Sequence, residues 1–307
     1  MLLRLSPLPT GSNATPWREV PPFDELVGSW CAVERGHAEV AVQVRSGAGE
    51  SGWYVLGCRN GDGWESVPGQ ADADGEVDVD VVRLRAPADA FRLRVTGAAV
   101  GALAACISAP GGDGPSAPAG RALEIEVPPL SQLVWTDVRP ELDGGGRAWC
   151  SPTSLAMVLG RWGLEVEVPT VAGAVYDPAS GGCGNWSCNV AFAASLGLDA
   201  VVTRLPSLAA ARPLLEAGVP LVVSIVAGPG ALPGFPLEAG TGGHLVVLAG
   251  ETAEGDPIVY DPAATGAATV RRVYPRCALE SAWLGGSRGT AYVVRPPSHP
   301  VPDSPYW

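Results

Sequence analysis

The chain has 307 residues, a formal net charge of −12 and a pI of about 4.7, with 47% hydrophobic and 17% charged residues. That length allows two domains, each with its own core. So acidic a chain lacks the clustered cations that phosphate binding needs, which excludes nucleic acid as a partner.

All 20 basic residues are arginine, so a lysine Schiff base within the chain is excluded as well. No apolar run approaches about 18 residues, and no membrane span or membrane partner is expected. The opening Met1-Leu2-Leu3-Arg4-Leu5 lacks the apolar stretch of about 7–15 residues that a secretory leader carries. The expected location is therefore cytoplasmic, or exported if a leader is missing from the sequence.

Residues 20–127 show a period of two. Val40, Val42 and Val44 alternate with polar or small neighbours, Val77, Val79 and Val81 with Asp78 and Asp80, and Phe91, Leu93 and Val95 with Arg92 and Arg94. Such alternation marks half-buried antiparallel strands. Turn clusters at 59–63 and 72–75 separate them. After a Gly- and Pro-rich loop at 109–115, Leu123, Ile125 and Val127 supply one more strand. The pattern predicts an all-β sandwich as a first domain, 1–127, serving substrate recruitment or assembly. Trp30, Trp53, Tyr54 and Trp64 are expected as its large core residues, with a sugar- or peptide-binding surface as the other reading.

The second domain, 128–307, mixes helix and strand. Leu155, Val158, Leu159 and Trp162 recur at helical spacing, Pro152 suits only a first turn, and Gly163 closes the run. Cys150 therefore sits at the positive end of a helix dipole, where a thiolate is favoured. Further helices are expected at 185–196, capped by Asn185, at 207–217 and near 276–283, and strands at 220–227, 244–250, 256–260 and 290–295. A helical half followed by a strand half gives an α+β plan. The Gly- and Pro-rich stretch 227–234 reads as a flap or a surface loop.

Of the three histidines, His299 lies near the carboxy end and His37 in the first domain. His244 opens the apolar run Leu245–Leu248 after a glycine pair, and a buried imidazole there needs a partner. Asp261 ends the next strand candidate, 17 positions later. Two adjacent strands joined by a turn at Glu254-Gly255 would let Asp261 hold one ring nitrogen while the other faces Cys150. This is the nucleophile, base and orienter arrangement of covalent catalysis. Taken singly, each residue has an ordinary reading: a packing cysteine, a turn histidine, an Asp-Pro turn.

Cys150-Ser151-Pro152-Thr153-Ser154 with Met157-Val158-Leu159 and Trp162-Gly163 resembles the nucleophile helix of papain-like cysteine peptidases. The likeness is to the bacteriocin-processing type, peptidase family thirty-nine, and its actinobacterial-style two-domain relatives. Asn185-Trp186, Ala217-Gly218-Val219-Pro220, Gly243-His244-Leu245 and Tyr260-Asp261-Pro262-Ala263 resemble the same family, in the same order, across roughly 128–296. The resemblance implies a papain-like α+β peptidase domain, with Cys150 as nucleophile, His244 as general base and acid and Asp261 as orienter. It also implies a peptide or protein substrate, with Trp149, Asn185, Trp186 and Gly243 lining its site.

The family's oxyanion glutamine, often six positions before the cysteine, falls here on Gly144; Gln132, 18 positions upstream, is the remaining candidate. Ser151 stands where relatives often carry glycine. Hydrolysis, aminolysis of the same thioester, and a scaffold with a residual triad all stay open, as does the oligomeric state. No cofactor or metal is expected: Cys183 and Cys188, spaced C-x4-C, have too few histidines nearby for a zinc site and read as separate thiols.

Overall fold

The computed structural model describes residues 1–5, 13–32, 36–47, 49–61, 63–109 and 116–307, and the chain is α+β. Asp62 and most of the loop read at 109–115 lie outside the described residues. The first half supplies β1 (Leu2–Leu5), β2 (Arg18–Ala32), β3 (Ala38–Ser46), β4 (Gly49–Glu50), β5 (Tyr54–Arg59), β6 (Trp64–Glu65), β7 (Gly75–Asp78), β8 (Val81–Gly97) and β9 (Val100–Ser108). They form one antiparallel sheet in the order β1-β9-β2-β8-β3-β5-β6, with β4 on β3 and β7 on β8.

The long β2 shifts register against β8 near Phe23 and against β9 after Trp30. Such irregularities bend a strand and raise its twist. The sheet accordingly curls, and the sandwich expected from the alternation takes the form of one continuous sheet folded toward itself. Trp30, Tyr54 and Trp64 are buried in its core, while Trp53 is half-buried beneath the guanidinium groups of Arg92 and Arg94.

Two strand readings need correction. Val77–Val81 is not one strand but a hairpin, with Asp78 paired to Val81 and Val79-Asp80 as its turn. Alternation continues across a two-residue turn, so it hid the reversal. Leu123 and Glu124 form β10, which pairs with Glu251 and Gly250 of the second sheet and leaves the first.

The second sheet adds β11 (Asp199–Arg204), β12 (Leu221–Ala227), β13 (Thr241–Glu251), β14 (Pro257–Tyr260), β15 (Arg271–Val273) and β16 (Thr290–Arg295). Its order is β11-β16-β12-β13-β14-β15, antiparallel throughout. Around it pack α1 (Cys150–Arg161), α2 (Val168–Val175), α3 (Trp186–Ser195), α4 (Leu208–Glu216), α5 (Ala267–Val270) and α6 (Arg276–Ser287). The sequence reading missed α2: its four buried residues, Val168, Val171, Ala172 and Val175, recur at helical spacing and pack into the same core as α1, but its sequence VPTVAGAV is β-branched and small, a composition that favours strand. It also missed β11, which pairs with β16 along its whole length. No helix among the described residues is long and apolar enough to cross a membrane.

α3 joins the halves. Cys188 and Ala191 pack into the core of the first sheet, while Val190, Ala193 and Ala194 belong to the core of α1 and α2. At the far end of β13, Glu251 is 1% exposed and accepts from Arg212 of α4 and from Arg276 of α6, the latter at 2.5 Å. This buried pairing ties two helices to the strand that carries His244. Removing one partner of a buried ion pair leaves uncompensated charge. We expect Glu251→Ala to lose about 3–5 kcal/mol of stability in urea denaturation, and Glu251→Gln to lose less.

Candidate active site

Cys150 is the first residue of α1, half-buried in the lining of a cleft of about 630 Å³. The opening N–H groups of the helix have no i−4 carbonyl partner, and that of Ser151 points at the sulfur. One turn on, Ser154 Oγ donates to the carbonyl of Leu245 at 3.0 Å, while the Leu245 N–H donates to the Cys150 sulfur. Positions i and i+4 share a helix face, so this face of α1 is docked on β13 beside His244.

His244 pairs with Ile225 in the sheet and is 2% exposed. Its Nε2 lies 2.8 Å from Asp261 Oδ1, which leaves Nδ1 for the hydrogen bond with Cys150. Asp261 follows β14 and is fully buried. It accepts further from the Ala263 N–H at 3.0 Å and the Tyr274 hydroxyl at 2.8 Å. Phe235, just past the Gly- and Pro-rich stretch, packs edge-to-face with the imidazole, their ring centroids 5.6 Å apart.

Burial opposes the charged form of all three groups, yet mutual interaction outweighs it. His244 is desolvated, but the charge and hydrogen bond of Asp261, with help from Cys150, push its pKa up to about 10. Cys150 is likewise desolvated, but the His244 hydrogen bond and charge and the N–H groups of Leu245 and Ser151 hold its thiol below the ordinary value. Asp261 is held below the usual carboxylate range by His244, Tyr274 and Ala263, against its burial. For neighbouring Cys183, burial and the charge of Asp143 outweigh the opposing charge of Arg139 and lift the thiol to about 12. Of these two thiols, only Cys150 is poised to ionise.

Gln132 is 3% exposed and lines the same cleft. Its backbone N–H donates to Pro262, next to Asp261, and its Nε2 donates to the Arg147 carbonyl at 2.8 Å. The glycine run makes this reach possible. Gly144 and Gly145 have φ near +76°, and a Cβ on Gly146 would lie 2.2 Å from the Gln132 carbonyl. Only bare backbone lets the turns 132–135 and 145–148 approach so closely.

The remaining expected contacts divide. Trp186 is half-buried and Gly243 exposed, and both line the cleft. Asn185 lines it too, but its side chain caps α3 through the Cys188 N–H at 3.0 Å and donates to Asp177 at 2.9 Å, so it is held as a helix cap. Trp149 is corrected: it is wholly buried, its indole donates to Leu142 at 2.9 Å, and it packs behind the site. Ser151, where relatives often have glycine, turns inward to Asn189 at 2.9 Å and Tyr292 at 3.0 Å, which accommodates its hydroxyl.

Sequence reasoning missed Tyr274 and Asp80. Asp80 is 3% exposed and lines the cleft from the first half of the chain. It accepts from the Ser187 N–H at 2.8 Å and from that of Trp186, and burial nonetheless pushes its carboxyl up to about 6. No local pattern marks either residue, because each acts on a partner more than ten positions away in sequence.

No curated protein matches the chain. Among solved structures, one from Bacillus anthracis, provisionally described as a C39-like peptidase, aligns over 57% of this chain and 98% of its own. That alignment has 18% identity and a TM-score of 0.42. Residues 8–100 match the model of the Peptidase C39 N-terminal domain. The model of the Peptidase C39 like family matches residues 124–290, more than half of the chain, and the protein therefore belongs to that family.

Proposed function

We propose that the protein is a cysteine peptidase that works through a thioester on Cys150. The observation that carries this reading is the buried chain of contacts from Asp261 through His244 to the Cys150 sulfur, opening into a cleft. The sulfur, as thiolate, attacks the carbonyl carbon of a peptide bond; the C–S bond forms as the carbonyl electrons move to oxygen. Collapse of that oxyanion breaks the C–N bond, and the leaving amine takes the proton from His244 Nδ1. Water then attacks the thioester, His244 accepts its proton, and the sulfur leaves as thiolate. Asp261 keeps the imidazole oriented and stabilises its charged form.

The oxyanion would be met by the backbone N–H of Cys150 and the second N–H of Gln132 Nε2, whose first N–H is committed to Arg147. Gln132 Oε1 is buried without a partner among the described residues. A leftover polar group of this kind costs free energy, and it fits an amide oriented for chemistry better than one placed for packing.

Two measurements test the reading. The lowered Cys150 value predicts alkylation by iodoacetamide that is faster at pH 6 than that of a free thiol of pKa about 8.5, which is less than about 1% thiolate there. His244→Ala should move that profile upward, because only the Leu245 and Ser151 N–H groups then oppose burial. Peptide hydrolysis should fall above pH about 10 as His244 loses its proton. A wild-type profile coinciding with that of a free thiol would reduce the chain to an inert scaffold. In steady-state kinetics, Cys150→Ala should abolish hydrolysis, and Gln132→Ala should lower kcat by about 10²–10³. A Gln132→Ala change confined to KM would remove that side chain from the oxyanion site.

A further inference from the structure

The cleft at Cys150 is not built by the peptidase half alone. Asp78, Val79, Asp80, Val81 and Arg83, from the β7–β8 hairpin of the first half, line it together with Cys150, His244 and Trp186. The hairpin turn has two central residues, Val79 and Asp80, and Val79 has φ +58°. Two-residue hairpin turns of this kind ask for positive φ and are usually served by glycine or asparagine. A β-branched residue there is a genuine outlier, and strain of this sort gathers at ligand-binding sites.

The strained residue is also the apolar one left open. Val79 is 36% exposed at the tip, whereas its two acidic neighbours are already engaged. Asp78 pairs with Arg83 at 2.8 Å. Asp80 is buried against the Trp186 and Ser187 N–H groups at the start of α3, where a carboxylate meets the positive end of the helix. Asp80 thus fixes the tip in place, and Val79 is what the tip offers to the cleft. Trp186, Val226 and Leu237 line the same space. A turn that served only to cap α3 would need Asp80 alone and would be better with glycine at 79.

We propose that Val79 is a specificity-determining residue, an apolar wall contributed by the first domain against which one aliphatic side chain of the substrate peptide packs, with Asp80 as its anchor. The proposal rests on the cysteine peptidase reading and names the chemistry of one subsite.

The test uses the full chain and tripeptidyl chloromethyl ketones in which each side chain in turn is glycine, leucine or aspartate. Every inactivation rate is divided by that variant's own rate with iodoacetamide, which has no side chain to be recognised. Wild type should favour leucine over glycine at one position. Val79→Gly should cut that preference on the order of tenfold, the scale of a few methylenes in an apolar pocket, and Val79→Asp should reverse it, with the other positions unchanged. Asp80→Asn, which keeps the shape but weakens the anchor, should blunt the same preference. Val79→Gly should also raise Tm by releasing backbone strain, so a folded variant is assured. A leucine preference unchanged in Val79→Gly and Val79→Asp, or a loss spread evenly over all positions, would overturn the proposal. Failure of iodoacetamide to select Cys150 would instead bring down the peptidase reading on which it rests.

Discussion

The contact between His244 and Asp261, 2.8 Å long and closed to solvent, is the constraint around which the second half of the chain is arranged. Two groups that prefer to be charged sit where burial penalises charge, and only their partnership makes this tolerable. The pairing needs β13 and β14 as antiparallel neighbours, with Val247 opposite Tyr260. It needs Tyr274 and the Ala263 N–H to occupy the remaining lone pairs of the carboxylate. It also needs α1 docked on β13, which Ser154 secures through Leu245. Once those conditions hold, the sulfur of Cys150 meets an imidazole already biased toward its charged form.

The two halves of the chain meet at the start of α3, and that is also an edge of the cleft. Asp80 takes the first N–H groups of the helix, Ser187 donates to the Gly28 carbonyl at 2.8 Å, and Asp177 accepts from the Ser66 N–H at 3.2 Å while holding Asn185. These are buried polar contacts, which are directional and costly to leave unmade. They fix the hairpin of the first sheet relative to Trp186 and therefore relative to the cleft at Cys150. The β-rich first half is thus part of the wall of the cleft.

Close backbone approach is the other device. The glycine run before α1 includes Gly144, the position where the resemblance implies a glutamine. The same run lets the Gln132 turn come within contact of the Arg147 turn.

Much of this was legible in the sequence. Helical spacing from Leu155 to Trp162, Pro152 and the chain order of Cys150, His244 and Asp261 singled out the residues whose side chains the structure brings together. Period-two alternation marked the first half as all-β. These signals are local, because each depends on a repeat or a cap within a few residues. The turn at Val79-Asp80 was invisible, since alternation continues through a two-residue reversal, and α2 was hidden by its β-branched composition. The burial of Trp149, the engagement of Asp80 with α3 and the reach of Gln132 to Arg147 were decided only by tertiary structure. Each joins segments 7 to more than 100 positions apart, and nothing in a local pattern encodes which distant backbone a side chain will meet. The sequence alone determined the chemistry available and the elements that carry it; three-dimensional packing decided which groups share one dielectric environment, and so which of them are held ionised.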